Sequence, residues 1–207
     1  MYKIVLSGGP CGGKTTLSRE LTPFLEQHGI NVYKVHESAT LFINAGIKPK
    51  KWTDEEIVQF QTIILGHQLM MEEIISEVAQ KNLPSVLICD RGALDGKAYA
   101  RPDLWAKILD QCGVTEEELH KQYDLIIHLD SAAIGAEEHY SFGPSSDSNT
   151  ARYENLEEAI AADYRTFAAW DGHPNRVAIH NYNDDFNFKM EFTKQEILKR
   201  IRGNFGL

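Results

Sequence analysis

The sequence predicts an α/β fold in three layers (α/β/α), with a five-stranded parallel sheet covered by helices on both faces. Short apolar runs typical of buried strands alternate along the chain with helical patterns, as they do in βαβ units. The chain has 207 residues and a 43% apolar share, enough for one hydrophobic core of this kind. The predicted strands cover residues 2–6, 30–35, 85–89, 125–129 and 176–179. We therefore expect a single domain over residues 1–207.

Apolar spacing and end signals define the main helices. The first is expected over residues 14–28, closed by Gly29, and Pro23 inside it predicts a kink or a break. A long helix is expected to begin at Thr53, because Glu56 three residues later completes a capping box. Its apolar positions at near-helical spacing are Ile57, Phe60, Ile64, Met71, Ile74, Ile75 and Val78.

Two further helices and one loop complete the predicted organisation. Thr115 and Glu118 form a second capping box that opens a short charged helix, and the last helix is expected to end near Gly203. Residues 135–150 are poor in aliphatic side chains and rich in Gly, Ser, Asn and Asp, which predicts an exposed loop. A connection of that length is usually functional or disordered.

Composition excludes several classes of protein. The formal charge is −9, which argues against a nucleic-acid or anionic-membrane partner, since both need a basic face. The three cysteines, Cys11, Cys89 and Cys112, lack the spacing of a disulfide framework or a zinc site. No apolar run reaches membrane-spanning length and no secretory leader pattern opens the sequence. We therefore expect a cytoplasmic protein.

Residues 8–15 match the phosphate-loop pattern G-x-x-x-x-G-K-[ST] at every fixed position. The candidate nucleotide-binding residues are Gly8, Gly9, Pro10, Cys11, Gly12, Gly13, Lys14, Thr15 and Thr16. Glycine permits the positive φ angles that turn backbone N–H groups onto phosphate oxygens, and the following helix adds its N-terminal dipole. Lys14 is the candidate contact of the β- and γ-phosphates, and Thr15 the candidate Mg²⁺ ligand. The sequence therefore predicts binding of a nucleoside triphosphate with Mg²⁺.

Charged side chains follow the second and third predicted strands, where ligands bind in open α/β sheets. Asp90 is a candidate Mg²⁺ ligand, with a helix-capping turn residue as the alternative. Arg91 is a candidate to brace a phosphate or the acceptor group of a substrate. Glu37 is a candidate to accept the proton of an attacking hydroxyl or to position that hydroxyl, and alternatively to cap the helix beginning near Ser38.

Several segments together resemble a known family. They are Gly-Gly-Pro-Cys-Gly-Gly-Lys-Thr-Thr at 8–16, His-Glu-Ser-Ala-Thr at 36–40, Ile-Cys-Asp-Arg-Gly-Ala-Leu-Asp at 88–95, Ile-His-Leu at 127–129, Ser-Ala-Ala at 131–133 and Trp-x-Gly-His-Pro at 170–174. They resemble the AAA-type P-loop domain shared by bacterial nicotinamide-riboside kinase (NadR) proteins and eukaryotic TRPL translocation-defect proteins, along nearly the whole chain. The resemblance implies a P-loop NTPase core like that of nucleoside and nucleotide kinases, in which Glu37, Asp90 and Arg91 match catalytic positions.

The same resemblance implies a mobile lid, expected near residues 131–165, whose arginines contact the transferring phosphoryl group. Arg152 is the first catalytic candidate because it follows the 135–150 loop directly. Arg165 is the second, with a surface salt bridge to Asp163 or Glu158 as the alternative.

The segment after the last strand is expected to contact the purine. Residues 181–184 lie one letter from the N-K-x-D signature of guanine recognition, with Tyr182 in the lysine position. Asn183 and Asp184 are therefore candidate base contacts. ATP and GTP both stay open, and the kinase resemblance favours ATP.

The predicted function is Mg²⁺-dependent purine nucleotide binding with phosphoryl transfer from ATP to a small, nucleoside-like hydroxyl acceptor. The acceptor is expected between the long helix and residues 90–101, where Trp52, Phe60 and Tyr99 are placed to stack on a ring. The alternative is a regulatory switch that hydrolyses ATP or GTP slowly and is read by a protein partner. A binding module that has lost catalysis is disfavoured by the intact Glu37.

Overall fold

The central feature of the computed structural model, which describes residues 1–47, 52–140, 155–181 and 185–206, is a five-stranded parallel sheet. The strands are β1 (Tyr2–Ser7), β2 (Asn31–Val35), β3 (Ser85–Asp90), β4 (Leu125–Leu129) and β5 (Arg176–Ile179). Their order across the sheet is β2-β3-β1-β4-β5. The predicted α/β fold is confirmed, and each predicted strand agrees with an observed one to within a residue at either end.

Helices cover both faces of the sheet. Within the described ranges the α-helices are α1 (Lys14–Glu26), α2 (Ser38–Asn44), α3 (Asp54–Ala79), α4 (Pro102–Cys112), α5 (Glu116–Lys121), α6 (Leu156–Ala169) and α7 (Phe186–Phe205). Short 3₁₀ helices cover Ala93–Tyr99 and Glu137–His139. Both predicted capping boxes, at Thr53 and Thr115, are present. None of the helices in these ranges is long and apolar enough to cross a membrane.

The side chains of β1 alternate between two apolar cores, which produces the three layers. Ile4 and Leu6 are fully buried in the core formed with α1 and α7. Val5 faces the other core, formed with α3, α4 and α5 and closed by Trp170 at the end of α6. A strand that is buried on both faces has a continuous apolar sequence, and this pattern predicted β1.

Strand order places the functional loops beside one another. The central strand β1 pairs with β3 on one side and β4 on the other, so that Leu6 aligns with Asp90 and Ser7 with His128. Because parallel strands end at the same edge of the sheet, the loops that leave β1, β3 and β4 begin as neighbours.

Two predicted helix boundaries differ from the structure. The break predicted at Pro23 is absent, because helix α1 continues through this residue to Glu26, although proline has no backbone N–H to donate. Its carbonyl oxygen still accepts a hydrogen bond from the N–H of Gln27 at 3.1 Å. The last helix continues through Gly203 to Phe205, and Gly206, with a φ of 68°, is its left-handed C-cap.

The buried face of α3 also departs from prediction. Ile74 and Val78 were expected to face the core, yet they are 53% and 48% exposed. The buried face of α3 instead includes Glu72, which is 1% exposed. A carboxylate is buried in this way only when it is paired, and Glu72 accepts hydrogen bonds from Lys3 and Tyr123.

Candidate functional site

The phosphate loop, residues 8–15, connects the carboxyl end of β1 to the first turn of α1. Gly8 has a φ of 127°, and a Cβ on it would lie 2.1 Å from the carbonyl oxygen of Leu129. A Cβ on Gly12 would lie 2.7 Å from the same oxygen. Gly13, with a φ of 92°, is the N-cap of α1. Glycine is therefore required where the loop packs on β4 and where it enters the helix.

The middle of the loop is held by the segment that follows β4. Cys11 has a φ of 56°, a conformation rare outside glycine. The hydroxyl of Ser131 donates to the carbonyl oxygen of Pro10 at 2.5 Å, and Cys11 packs beside the apolar cluster that contains Ala132 and Ala133. The conformation of the phosphate loop thus depends on contacts from β4 as well as on its glycines.

Lys14 lies in the first turn of α1 with its ammonium group turned onto the loop. Its Nζ donates to the carbonyl oxygens of Gly8 at 2.9 Å and Gly9 at 2.6 Å. Burial, with a further contribution from the positive charge of Arg91, lowers the pKa of Lys14 to about 8. Desolvation disfavours a buried cation, and the triphosphate expected here is an anion that would restore the charge.

Asp163 on α6 braces the start of the phosphate loop and was missed as a site residue. Its Oδ1 accepts hydrogen bonds from the N–H of Gly9 at 2.7 Å and of Ser131 at 2.9 Å, and its Oδ2 lies 3.1 Å from Nε2 of His128. The side chain is buried, so the predicted alternative of a surface salt bridge between Arg165 and Asp163 is wrong. An aspartate at a buried position of a helical pattern is the signal that would have revealed it.

The acid–arginine turn, residues 90–93, follows β3 beside the phosphate loop. Arg91 has a φ of 70°, and its N–H donates to the carbonyl oxygen of Leu6 on β1 at 3.0 Å. A Cβ on Gly92 would lie 2.7 Å from a ring carbon of Trp170. The turn therefore has no room to shift, and a left-handed non-glycine residue persists because its surroundings fix it.

Asp95 ties this turn to the end of β1. Its Oδ2 accepts the N–H of Gly92 at 2.7 Å, and its Oδ1 accepts a short hydrogen bond from the hydroxyl of Ser7. The side chain is buried, and it lines the cavity described below. The buried carboxylate of Asp95 thus connects the acid–arginine turn to the end of β1, where the phosphate loop begins.

Glu37 and Arg91 form an ion pair across the carboxyl ends of β2 and β3. Arg91 Nε donates to Glu37 Oε1 at 2.8 Å, and the hydroxyl of Thr40 donates to Oε2 at 2.5 Å. Burial works to raise the pKa of Glu37, but Arg91, Thr40 and Lys14 together lower it from its ordinary value. Glu37 occupies the N-cap position of α2, as the capping alternative predicted, but its side chain makes no capping hydrogen bond.

Asp90 and Thr15, the two predicted Mg²⁺ ligands, line the same cavity. Burial raises the pKa of Asp90, and the neighbouring charge of Glu37 adds to the rise, while Lys14 opposes it. Such a carboxylate lacks a full counter-charge, and a divalent cation would supply it. Mg²⁺ binds through one or two protein oxygens plus substrate phosphates, so the pair suits it chemically.

These elements surround a cavity of about 640 Å³, within the range of small-molecule sites. Lys14, Thr15 and Thr16 line it together with Glu37, Asp90 and Arg91. Aromatic residues form much of the remaining wall: Trp52, Phe60, Tyr99, Trp105 and Phe186. The first three were predicted to lie near an acceptor, and the structure brings them to the same cavity. Trp105 and Phe186 were missed, because their positions in α4 and α7 carry no motif.

The other site predictions have different outcomes. Arg152, Asn183 and Asp184 lie outside the described residues. Arg165 donates from Nε to the carbonyl oxygen of Ala98 at 2.9 Å, which links α6 to the segment that follows the acid–arginine turn.

The parallel sheet and the glycine-bounded phosphate loop define a P-loop nucleoside triphosphatase fold. The chain matches the family model of the AAA domain over residues 3–185 and belongs to that family. A search of curated proteins found no match. Family membership indicates nucleotide binding by a P-loop NTPase, a class in which Mg²⁺ usually accompanies the nucleotide.

Proposed function

We propose that this protein transfers the γ-phosphoryl group of a Mg²⁺-bound purine nucleoside triphosphate, with ATP preferred over GTP, to the hydroxyl of a small ring-bearing acceptor. The observation that carries the proposal is the Glu37–Arg91 pair, which lines the same cavity as Lys14 of the phosphate loop. The pair lies beside an aromatic wall of the same cavity, where the ring of an acceptor would bind. The resemblance to the NadR and TRPL translocation-defect proteins supports the same reaction class.

The chain supplies positive charge to the transferring group from two directions. Lys14 comes from the phosphate loop, and Arg91 from the turn after β3. The Nη1 atom of Arg91 is buried and has no hydrogen-bond partner among the residues the structure describes. A guanidinium with an unused donor is suited to an oxygen of the phosphoryl group or of the acceptor. Bound Mg²⁺, held by Thr15 and Asp90, would neutralise further charge on the phosphates.

Glu37 orients the acceptor hydroxyl. Because its pKa is lowered, the carboxylate is ionised at neutral pH and accepts the hydroxyl hydrogen bond. The acceptor oxygen forms its bond to the γ-phosphorus while the bond to the β–γ bridging oxygen breaks. The nucleoside diphosphate leaves with that electron pair, and the hydroxyl proton passes through Glu37 to solvent.

The wall around the acceptor favours a flat ring. The Trp52 and Phe60 rings lie 4.8 Å apart with a tilt of 40°, and the guanidinium of Arg91 lies 5.8 Å from the centre of the Tyr99 ring. Aromatic faces bind planar rings by offset stacking. A nucleoside-like alcohol fits this wall better than an aliphatic one.

The proposal also includes a lid, the contacts of the base and the organisation of the chain into domains. Arg152 is proposed as the lid arginine, within a lid near residues 131–165. Asn183 and Asp184 are proposed as base contacts. All of these belong to one domain that spans residues 1–207.

A phosphate-transfer screen tests the proposal. Nucleosides, nicotinamide riboside and related small alcohols are each incubated with Mg²⁺ and ATP or GTP, and hydrolysis without acceptor is the control. We expect transfer to at least one ring-bearing alcohol at a rate above hydrolysis. Turnover that occurs only without an acceptor would instead favour the regulatory switch.

Glu37→Gln tests the role of the carboxylate, with Glu73→Gln on the exposed face of α3 as the matched control. We expect Glu37→Gln to reduce transfer by about 10²–10⁴-fold while nucleotide affinity stays within about twofold, because the amide does not accept a proton. Normal transfer by this variant would remove Glu37 from the mechanism.

A further inference from the structure

A buried polar network lies behind the acid–arginine turn and meets the cavity wall at Gln68. Glu72 of α3 is its centre and does not line the cavity. One oxygen, Oε1, accepts from Nε2 of Gln68 at 2.7 Å and from the hydroxyl of Tyr123 at 2.9 Å, and Oε2 accepts from Nζ of Lys3 at 3.1 Å. Replacing a buried ion pair by apolar residues is often neutral or stabilising, so packing alone does not explain this carboxylate.

The first route from Glu72 runs through Gln68. A carboxylate only accepts hydrogen bonds, so it fixes the Gln68 side chain with its amide nitrogen towards Glu72. The second N–H of that nitrogen then reaches the carbonyl oxygen of Arg91 at 3.2 Å. The amide oxygen accepts from the hydroxyl of Ser38, which follows Glu37, at 3.0 Å. One side chain therefore contacts the segments that carry both members of the Glu37–Arg91 pair.

The second route runs through Tyr123. Its hydroxyl accepts the N–H of Ala93 at 2.9 Å while it donates to Glu72. Burial, with a further contribution from the charge of Glu72, raises the pKa of Tyr123 well above its ordinary value, so the hydroxyl keeps the proton that it donates. Glu72 thus reaches the acid–arginine turn at two points that flank Gly92, the carbonyl oxygen of Arg91 and the N–H of Ala93.

We infer that Glu72 is a positioning residue for the proposed transfer reaction, acting through Gln68 and Tyr123 to hold Arg91 in its left-handed conformation against the cavity. A non-glycine residue with a φ of 70° persists only where the surroundings over-determine it. Through these two routes the carbonyl oxygen of Arg91 and the N–H of Ala93 each gain a hydrogen-bond partner. The inference rests on the proposed function for its effect on rate, but its effect on the turn can be measured independently.

The least disruptive test is Tyr123→Phe, which removes one hydroxyl and keeps the ring that packs edge-on against Trp170. Tyr164→Phe, on the exposed surface of α6, is the matched control. We expect transfer kcat to fall about tenfold in Tyr123→Phe, with nucleotide affinity within about twofold of the parent, because the phosphate loop is unchanged. The control should match the parent in both quantities.

A double-variant cycle separates positioning from general stability. If Tyr123 acts through Arg91, adding Tyr123→Phe to Arg91→Ala should change transfer by less than about twofold. The loss of stability in urea should be the same in both backgrounds. An equal tenfold loss of transfer in both backgrounds would show that Tyr123 does not act through Arg91, and would overturn the inference.

Amide exchange keeps the inference testable even without activity. Hydrogen–deuterium exchange at the Ala93 amide should accelerate at least tenfold in Tyr123→Phe and in Glu72→Gln, and stay unchanged in Tyr164→Phe. If the parent protein transfers phosphate to no acceptor while exchange changes as expected, the proposed function fails and the positioning contact stands. Unchanged exchange in Tyr123→Phe would refute the contact itself.

Discussion

Asp163→Ala should destabilise the protein by removing the acceptor of two buried backbone N–H groups. Asp163 is 2% exposed, and its Oδ1 accepts from Gly9 at 2.7 Å and from Ser131 at 2.9 Å. Each buried donor left without a partner costs about 1–3 kcal/mol, so the pair predicts a loss of about 2–6 kcal/mol in the free energy of unfolding. Asp163→Asn retains an oxygen for both donors and should cost only about 1 kcal/mol.

Urea unfolding followed by tryptophan fluorescence measures these losses. Glu157→Ala is the matched control, because Glu157 lies on the same helix in an exposed position, and it should change stability by less than about 0.5 kcal/mol. Nucleotide affinity should also fall in Asp163→Ala, since Gly9 belongs to the phosphate loop. A loss below about 1 kcal/mol in Asp163→Ala, or equal losses in the Ala and Asn variants, would refute the argument from unpaired donors.

Two further predictions concern nucleotide binding. Between pH 7 and 9 the Kd for Mg²⁺·ATP should rise about tenfold, because the pKa of Lys14 is about 8 and the triphosphate binds its protonated form. Titration calorimetry measures this Kd, which should not change with pH in Lys14→Arg. A pH-dependent Kd in that variant would show that another group titrates. Phe186→Ala should raise the same Kd about tenfold, since Phe186 lines the cavity beside Gly13 and we expect its ring to stack on the base. Phe188→Ala, an exposed neighbour outside the cavity, should stay within about twofold, and equal effects would exclude stacking by Phe186.

The sheet could be predicted from the sequence because its strands are apolar on both faces. Every residue from Val86 to Cys89 is fully buried, so a continuous apolar run marks the strand without any need for periodicity. Helix α3 could be located by its capping box, but its orientation could not be predicted. A prediction from hydrophobic spacing holds only if the core side of the helix is apolar. In α3 that side includes Glu72, which is buried because it has hydrogen-bond partners.

The polar residues that line the cavity could also be located from the sequence, for a different reason. Lys14 and Thr15 occur at a fixed spacing because the phosphate groups fix it, and Asp90 and Arg91 follow a strand end where ligands bind. The contact between Arg91 and Glu37 joins residues 54 positions apart, and strand order alone brings them together. That pairing follows from topology, which a local pattern does not contain.

The carboxylates to which the sequence assigned no role share a physical function that the phosphate motif does not encode. Asp163, Asp95 and Glu72 are buried carboxylates that hold turns of the site, directly through backbone N–H groups or through an intervening side chain. Any helix or turn that passes at the right distance can supply such a carboxylate, so its place along the sequence is not constrained by the phosphate chemistry. Turns held in this way are already ordered before a ligand arrives, and binding free energy is not spent on ordering them. The consequence is that substitutions behind the site should alter the reaction as strongly as some substitutions that touch the substrate.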